Sequence, residues 1–167
     1  MSQMIQVGGS LPRQSFALVS APGTVSWNQG TLASVIFVPH RAPCPDCAGY
    51  LEQLGGAVEG LREWGARTTA LLAPGSDLTA PPGVLALSDP SGAGRTLLGV
   101  GDEQAAVVQS DRWGAVYEVA EVGPGGSHAA LPTPGDLVAL AKFIDIQCPE
   151  CGVPSKEWLA ASPFPLG

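Results

Sequence analysis

The sequence predicts an α/β fold, a central mixed sheet flanked by helices, and three observations predict it. The run Leu32-Ala33-Ser34-Val35-Ile36-Phe37-Val38 is almost continuously apolar and rich in β-branched and aromatic residues, the pattern of a strand covered on both faces. From Cys47 the apolar positions switch to helical spacing, with Leu51, Leu54, Val58 and Leu61 on one face. Further strands and a late hairpin follow, so the strand–helix–strand order implies a parallel crossover and the hairpin makes the sheet mixed.

The elements read in order as follows. Ser15–Val19 and Thr24–Trp27, separated by Ala21-Pro22-Gly23, are short early strands. Pro39 ends the buried strand, a loop runs from His40 to Pro43, and the first helix follows to about Gly65. Gly55 and Gly56 weaken that helix by about 1 kcal/mol each relative to Ala, so tertiary packing must hold it. Thr68–Leu72 and Val84–Leu87 are apolar strands closed by Pro74-Gly75 and Ser88-Asp89-Pro90. Ala105–Gln109 and Ala115–Val122 flank Asp111-Arg112-Trp113-Gly114 and form an antiparallel hairpin. A glycine-rich loop from Gly123 to Ser127 leads to the last helix, with Thr133 as N-cap, Pro134 at its first position and Asp136 as the third-position acid. Residues 1–147 form one domain. Residues 148–167, which contain two prolines in their last segment, are a tail carrying Cys148-Pro149-Glu150-Cys151.

Composition excludes several roles. Net charge is −7 with eight Lys and Arg in 167 residues, so no cation cluster exists to displace counterions from nucleic acid or to attract an anionic membrane. Pro12, Arg13 and Gln14 interrupt the N-terminal apolar residues, which argues against a signal peptide, and no apolar stretch is long enough to span a membrane. The expectation is a cytoplasmic protein, where structural disulfides are rare.

In such a compartment the four cysteines, in two Cys-Pro-acid-Cys pairs, read as redox or metal sites. Cys44 falls at the start of the first helix, where unsatisfied N–H groups and the helix dipole favour a thiolate, the attacking species in disulfide exchange. Cys47, one turn further, is then the resolving thiol. His40, Arg41 and Asp46 are the candidates for tuning that thiolate. Asp46 opposes the negative charge, and Arg41 or His40 offsets it. Neither His40 nor His128 is expected to act as a base, since a lone loop histidine is usually solvated. Trp64 and Trp113 are expected to be packing residues.

Several stretches resemble one family. Val7-Gly8 to Pro12, Phe16-Ala17-Leu18, Val25-Ser26-Trp27 and Val35-Ile36-Phe37 are similar to the opening of redoxin and peroxiredoxin-like proteins. These form the alkyl hydroperoxide reductase / thiol-specific antioxidant group of the thioredoxin superfamily. Ser88-Asp89-Pro90-Ser91-Gly92, Gly99-Val100 and the hairpin Val107–Gly114 resemble that group's later landmarks. The resemblance covers Val7 to Ile146 and implies a thioredoxin-like fold. It also implies a protein disulfide or thiol as substrate and a thiol protein as electron donor, and it leaves a homodimer open. Counted from Pro39, the family's peroxidatic hydroxyl and thiol positions hold Pro43 and Asp46, so thiol–disulfide exchange is implied over peroxide reduction. The buried acid of thioredoxins is replaced by Ile36, and Asp102-Glu103-Gln104-Ala105 contains no proline where thioredoxins place a cis-proline.

No cofactor is required by this reading. The rival is a non-catalytic scaffold that binds a protein partner, or zinc through its Cys-Pro-x-Cys pairs, with Cys148 and Cys151 as secondary redox or metal candidates. The direction of the last helix places Cys148 and Cys151 roughly 20 Å from Cys44, too far to share an ion within one chain.

Overall fold

The computed structural model describes residues 3–27 and 32–147. Seven strands and three α-helices alternate along them. Strands β1 (Ser15–Ala17) and β2 (Thr24–Ser26) form a small antiparallel pair. The main sheet contains β3 (Ala33–Val38), β4 (Ala66–Leu72), β5 (Leu85–Ser88), β6 (Ala105–Ser110) and β7 (Val116–Val122), in the order β5-β4-β3-β6-β7. The pairs β3/β4 and β4/β5 are parallel, whereas β3/β6 and β6/β7 are antiparallel, so the sheet is mixed as expected.

All six residues of β3 are buried. Alternate side chains serve two cores: Val35 and Phe37 point to one face, Ile36 and Val38 to the other. The first face is covered by α1 (Pro45–Glu63) and α3 (Pro134–Asp145), through Leu51, Leu54, Leu61, Leu137 and Ala141. The second is covered by the N-terminal arm, the β1/β2 pair and α2 (Ala93–Leu98), through Leu11, Phe16, Trp27 and Leu98. Phe16 and Trp27 meet there with ring centroids 4.5 Å apart.

The chain's local signals work as the residue types dictate. The hairpin turn is tied by Asp111, whose Oδ1 accepts from the backbone N–H groups of Trp113 and Ala115, both at 2.9 Å. At the start of α3, Thr133 Oγ1 accepts from Asp136 N and Asp136 Oδ2 accepts from Thr133 N, each at 3.1 Å, a complete capping box. Trp64 packs against the first core, as expected for a packing residue.

Two features differ from the sequence reading. Helix α2 was not visible in the pattern: it is six residues long, bounded by Gly92 and Gly99, and too short to show periodicity. Its first turn is held by Asp89, whose carboxylate accepts from Gly94 N at 3.0 Å and Arg95 N at 3.1 Å. Gly55 is more than a weak point of α1. A Cβ there would lie 2.8 Å from Pro81 Cγ, so the missing side chain is what lets the segment after β4 pack against the helix. Gly56 faces open space and keeps its ordinary cost.

This contrast is testable by urea denaturation. Gly56→Ala should stabilise the protein by up to about 1 kcal/mol through helix propensity. Gly55→Ala, with the same propensity gain, should lower stability because the ring of Pro81 cannot give way.

Candidate active site

The burial of β3 on both faces decides where the functional side chains lie. The strand runs out at Val38, the buried Pro39 ends it, and the chain turns through His40–Pro43 into α1. Cys44 is the N-cap of that helix, with extended backbone and Pro45 directly inside the first turn. Its carbonyl accepts from Cys47 N at 3.1 Å and Ala48 N at 3.3 Å, so the turn closes on the dithiol itself. The expected position of Cys44, at a helix start behind a central strand, is the observed one.

The two thiols occupy different environments. Cys44 is partly exposed, whereas Cys47 is fully buried within the first core. Three nitrogens approach Cys47 Sγ: the backbone N–H of His40 at 3.3 Å, His40 Nδ1 at 3.4 Å and His128 Nε2 at 3.3 Å. His128 Nε2 also lies 4.0 Å from Cys44 Sγ. Burial pushes the Cys47 thiol up to about 12, against the lowering effect of the His40 N–H donor. Burial, and then the neighbouring His40, push the His128 imidazole below its ordinary value, so it is neutral near pH 7.

His128 corrects the expectation of a solvated loop histidine. Its side chain is only 9% exposed, and its ring lies 5.3 Å from that of His40. It sits at the start of a 3-10 turn, His128–Ala130, whose Ser127 cap accepts from Ala129 N at 3.2 Å. The tuning candidates separate spatially. His40 is at the dithiol, whereas Arg41 pairs with Asp102 Oδ1 at 3.0 Å across the mouth of the site. Asp46 Oδ2 faces His128 Nδ1 at 4.0 Å, on the far side of the imidazole from the thiols.

Sequence reasoning also missed Arg95. From α2 its buried guanidinium donates to Pro39 O at 2.8 Å and to Gln104 O. It thereby ties the end of β3 to the segment entering β6, immediately beneath His40. An arginine in a short glycine-bounded segment gave no signal of this role. Beside Cys44 opens a cleft of about 300 Å³, lined among others by Pro43, Asp46, Asp102, Glu103 and His128. As the absence of proline from Asp102–Ala105 suggests, no cis peptide occurs among the described residues.

Cys148 and Cys151, with the tail to residue 167, lie outside the described residues. Gln147, the last described residue, lines a depression with Trp64 and Gly65 beyond the C-terminal end of α1. That places it about 28 Å along the helix from Cys44, given 19 residues in α1.

A mixed sheet in this order, with a helix-capping dithiol after its central strand, is a thioredoxin-like α/β fold. No protein-family model matches the chain, and no curated protein matches it in sequence. Solved structures do match. A protein from Chlorobium tepidum assigned as the thiol:disulfide interchange protein DsbE is 16% identical, with a TM-score of 0.65 over 83% of this chain and 99% of that one. The thioredoxin domain of a thiol-disulfide oxidoreductase from Bacteroides vulgatus is 10% identical, with a TM-score of 0.58 over 83% and 97%. The reduced 2-Cys peroxiredoxin of Plasmodium vivax is 15% identical, with a TM-score of 0.66 over 83% and 81%. At these identities the likeness establishes the fold, and the expected thioredoxin-like fold, a central mixed sheet flanked by helices, is the one found. No helix among the described residues is long and apolar enough to cross a membrane.

The asymmetry of the dithiol predicts its labelling. With the protein reduced at pH 8, iodoacetamide should alkylate Cys44, while Cys47, protonated and buried, should react only after denaturation. Peptide mass mapping reads the two sites separately. Equal labelling of both in the folded protein would contradict the described burial.

Proposed function

We propose that this protein is a cytoplasmic thiol–disulfide oxidoreductase working through Cys44 and Cys47 on protein disulfides, with a thiol protein as electron donor. The observation that carries the reading is the unequal dithiol: a partly exposed Cys44 at the helix N-cap, and behind it a buried Cys47 touched by His128. The structural neighbours named above include proteins assigned to thiol–disulfide exchange, which supports the same chemistry.

Cys44, as thiolate, attacks one sulfur of the substrate disulfide. A Cys44–substrate mixed disulfide forms, and the other substrate sulfur leaves as a thiolate. Cys47 then gives its proton to the neutral His128 Nε2, 3.3 Å away, and attacks Cys44 Sγ. The mixed disulfide breaks, the second substrate thiolate leaves, and a Cys44–Cys47 disulfide remains. The substrate has gained two electrons and the dithiol has lost them; a donor thiol protein returns them to start the next cycle. A buried, protonated resolving thiol needs a local proton acceptor, and the inward-facing imidazole of His128 fills that requirement. Asp46, Asp102 and Glu103 around the cleft favour a substrate segment carrying positive charge.

With a model disulfide substrate, Cys44→Ser should abolish exchange. Cys47→Ser should accumulate a mixed disulfide visible as a mass adduct on Cys44. Equal turnover by wild type and both variants would remove the assignment. His128→Ala should leave the first attack in place and slow resolution on the order of a hundredfold, measured as the decay of the mixed disulfide.

A further inference from the structure

We propose that the reduced site is also a zinc site, in which Cys44, Cys47, His40 and His128 together hold one Zn²⁺ in a tetrahedral S₂N₂ shell. One ligand atom from each of the four lies within 4.8 Å of all the others. Zn–S bonds of about 2.3 Å and Zn–N bonds of about 2.0 Å give tetrahedron edges of roughly 3.3–3.8 Å. The contacts of Cys47 Sγ with His40 Nδ1 at 3.4 Å and His128 Nε2 at 3.3 Å already have that length, and Cys44 Sγ to His128 Nε2 is 4.0 Å. Since no edge exceeds 4.8 Å, closure of the shell requires contractions on the order of 1 Å at its longest edges.

The surroundings are those of a supported metal shell. Ligating histidines usually offer their second nitrogen to a carboxylate or other acceptor, which fixes the ring and raises its basicity. The buried His128 Nδ1, on the other side of the ring from the thiols, faces Asp46 Oδ2 at 4.0 Å. The backbone N–H of His40 donates to Cys47 Sγ at 3.3 Å, as backbone groups do around metal thiolates. Two thiolates with two imidazoles in a tetrahedral arrangement select zinc over the oxygen-seeking Mg²⁺ and Ca²⁺.

This site differs from one built of the two Cys-Pro-x-Cys pairs, because all four ligands come from residues 40–128 and none from the tail. It goes beyond the redox reading and can stand or fall separately. When a disulfide substrate oxidises Cys44 and Cys47, two thiolate ligands become one disulfide, two electrons pass to the substrate, and Zn²⁺ is released unchanged in oxidation state. Metal occupancy and disulfide exchange thus exclude each other on the same sulfurs.

The test is a titration of the full-length, metal-stripped, reduced protein with Co²⁺ as spectroscopic probe, followed by displacement with Zn²⁺. The expected result is one Co²⁺ per chain, with intense visible bands of tetrahedral cobalt and a near-ultraviolet thiolate charge-transfer band, both removed by Zn²⁺. Cys44→Ser and Cys47→Ser should each weaken the charge-transfer band. His40→Ala and His128→Ala should each weaken Zn²⁺ binding by more than about tenfold, with metal-free thermal unfolding confirming that each variant is folded. A Cys148→Ser/Cys151→Ser double variant should bind as wild type does, and protein with a Cys44–Cys47 disulfide should bind no metal. The proposal is overturned by the absence of tetrahedral cobalt bands, by binding that survives loss of both histidines, by loss of binding in the tail double variant, or by uptake of Cu⁺ without Zn²⁺. Disulfide exchange by a protein that binds no zinc would refute the metal site alone; zinc binding without exchange would refute the redox reading alone.

Discussion

The two-sided burial of β3 is the constraint on which the rest of the structure depends. A strand with no solvent face needs cover on both sides. Val35 and Phe37 demand α1 and α3 on one face, while Ile36 and Val38 demand the N-terminal arm, Trp27 and α2 on the other. The parallel neighbour β4 is reached only by a crossover, and α1 is that crossover. The start of α1 is therefore fixed at the end of β3, and with it Cys44 and Cys47. The dithiol lies where the sheet's central strand stops and its helix begins.

The same geometry makes the two sulfurs unlike. Cys44 caps the helix and meets the cleft; Cys47, three residues on, points back into the core beneath it. A buried thiol in that place would be inert without polar company. The chain supplies it from two directions: His40 from the loop after β3, and His128 from the turn after β7. Arg95, reaching from α2 to Pro39 O and Gln104 O, holds the base of that arrangement in place.

Much of this was legible in the sequence because it is written in local patterns. The continuous apolar run of β3, the change of period after Cys47, the Thr133/Asp136 capping box and the Asp111–Gly114 turn each have a nearest-neighbour cause, and the structure has all four. What was not legible depends on contacts between distant segments. His128 follows Cys47 by 81 residues and reaches it only because β7 returns the chain to the dithiol end of the sheet. Nothing in Gly125-Gly126-Ser127-His128 distinguishes a buried imidazole from a solvated one. The sequence around Gly55 shows only its low helix propensity, whereas its role is steric and set by Pro81, 26 positions later. Helix α2 is too short for periodicity and depends on Asp89 for its first turn.

The central claim is that Cys44 and Cys47 form a reversible two-electron couple. The most direct measurement is equilibration of the full-length protein, carrying Cys148→Ser and Cys151→Ser, in glutathione buffers of stepped potential, followed by acid quench and peptide mass analysis. The account predicts a single transition between the free dithiol and an internal Cys44–Cys47 disulfide, the same whether approached from the oxidised or the reduced side. A protein that stays dithiol throughout, or that accumulates glutathione on Cys44 without forming the internal bond, would contradict it.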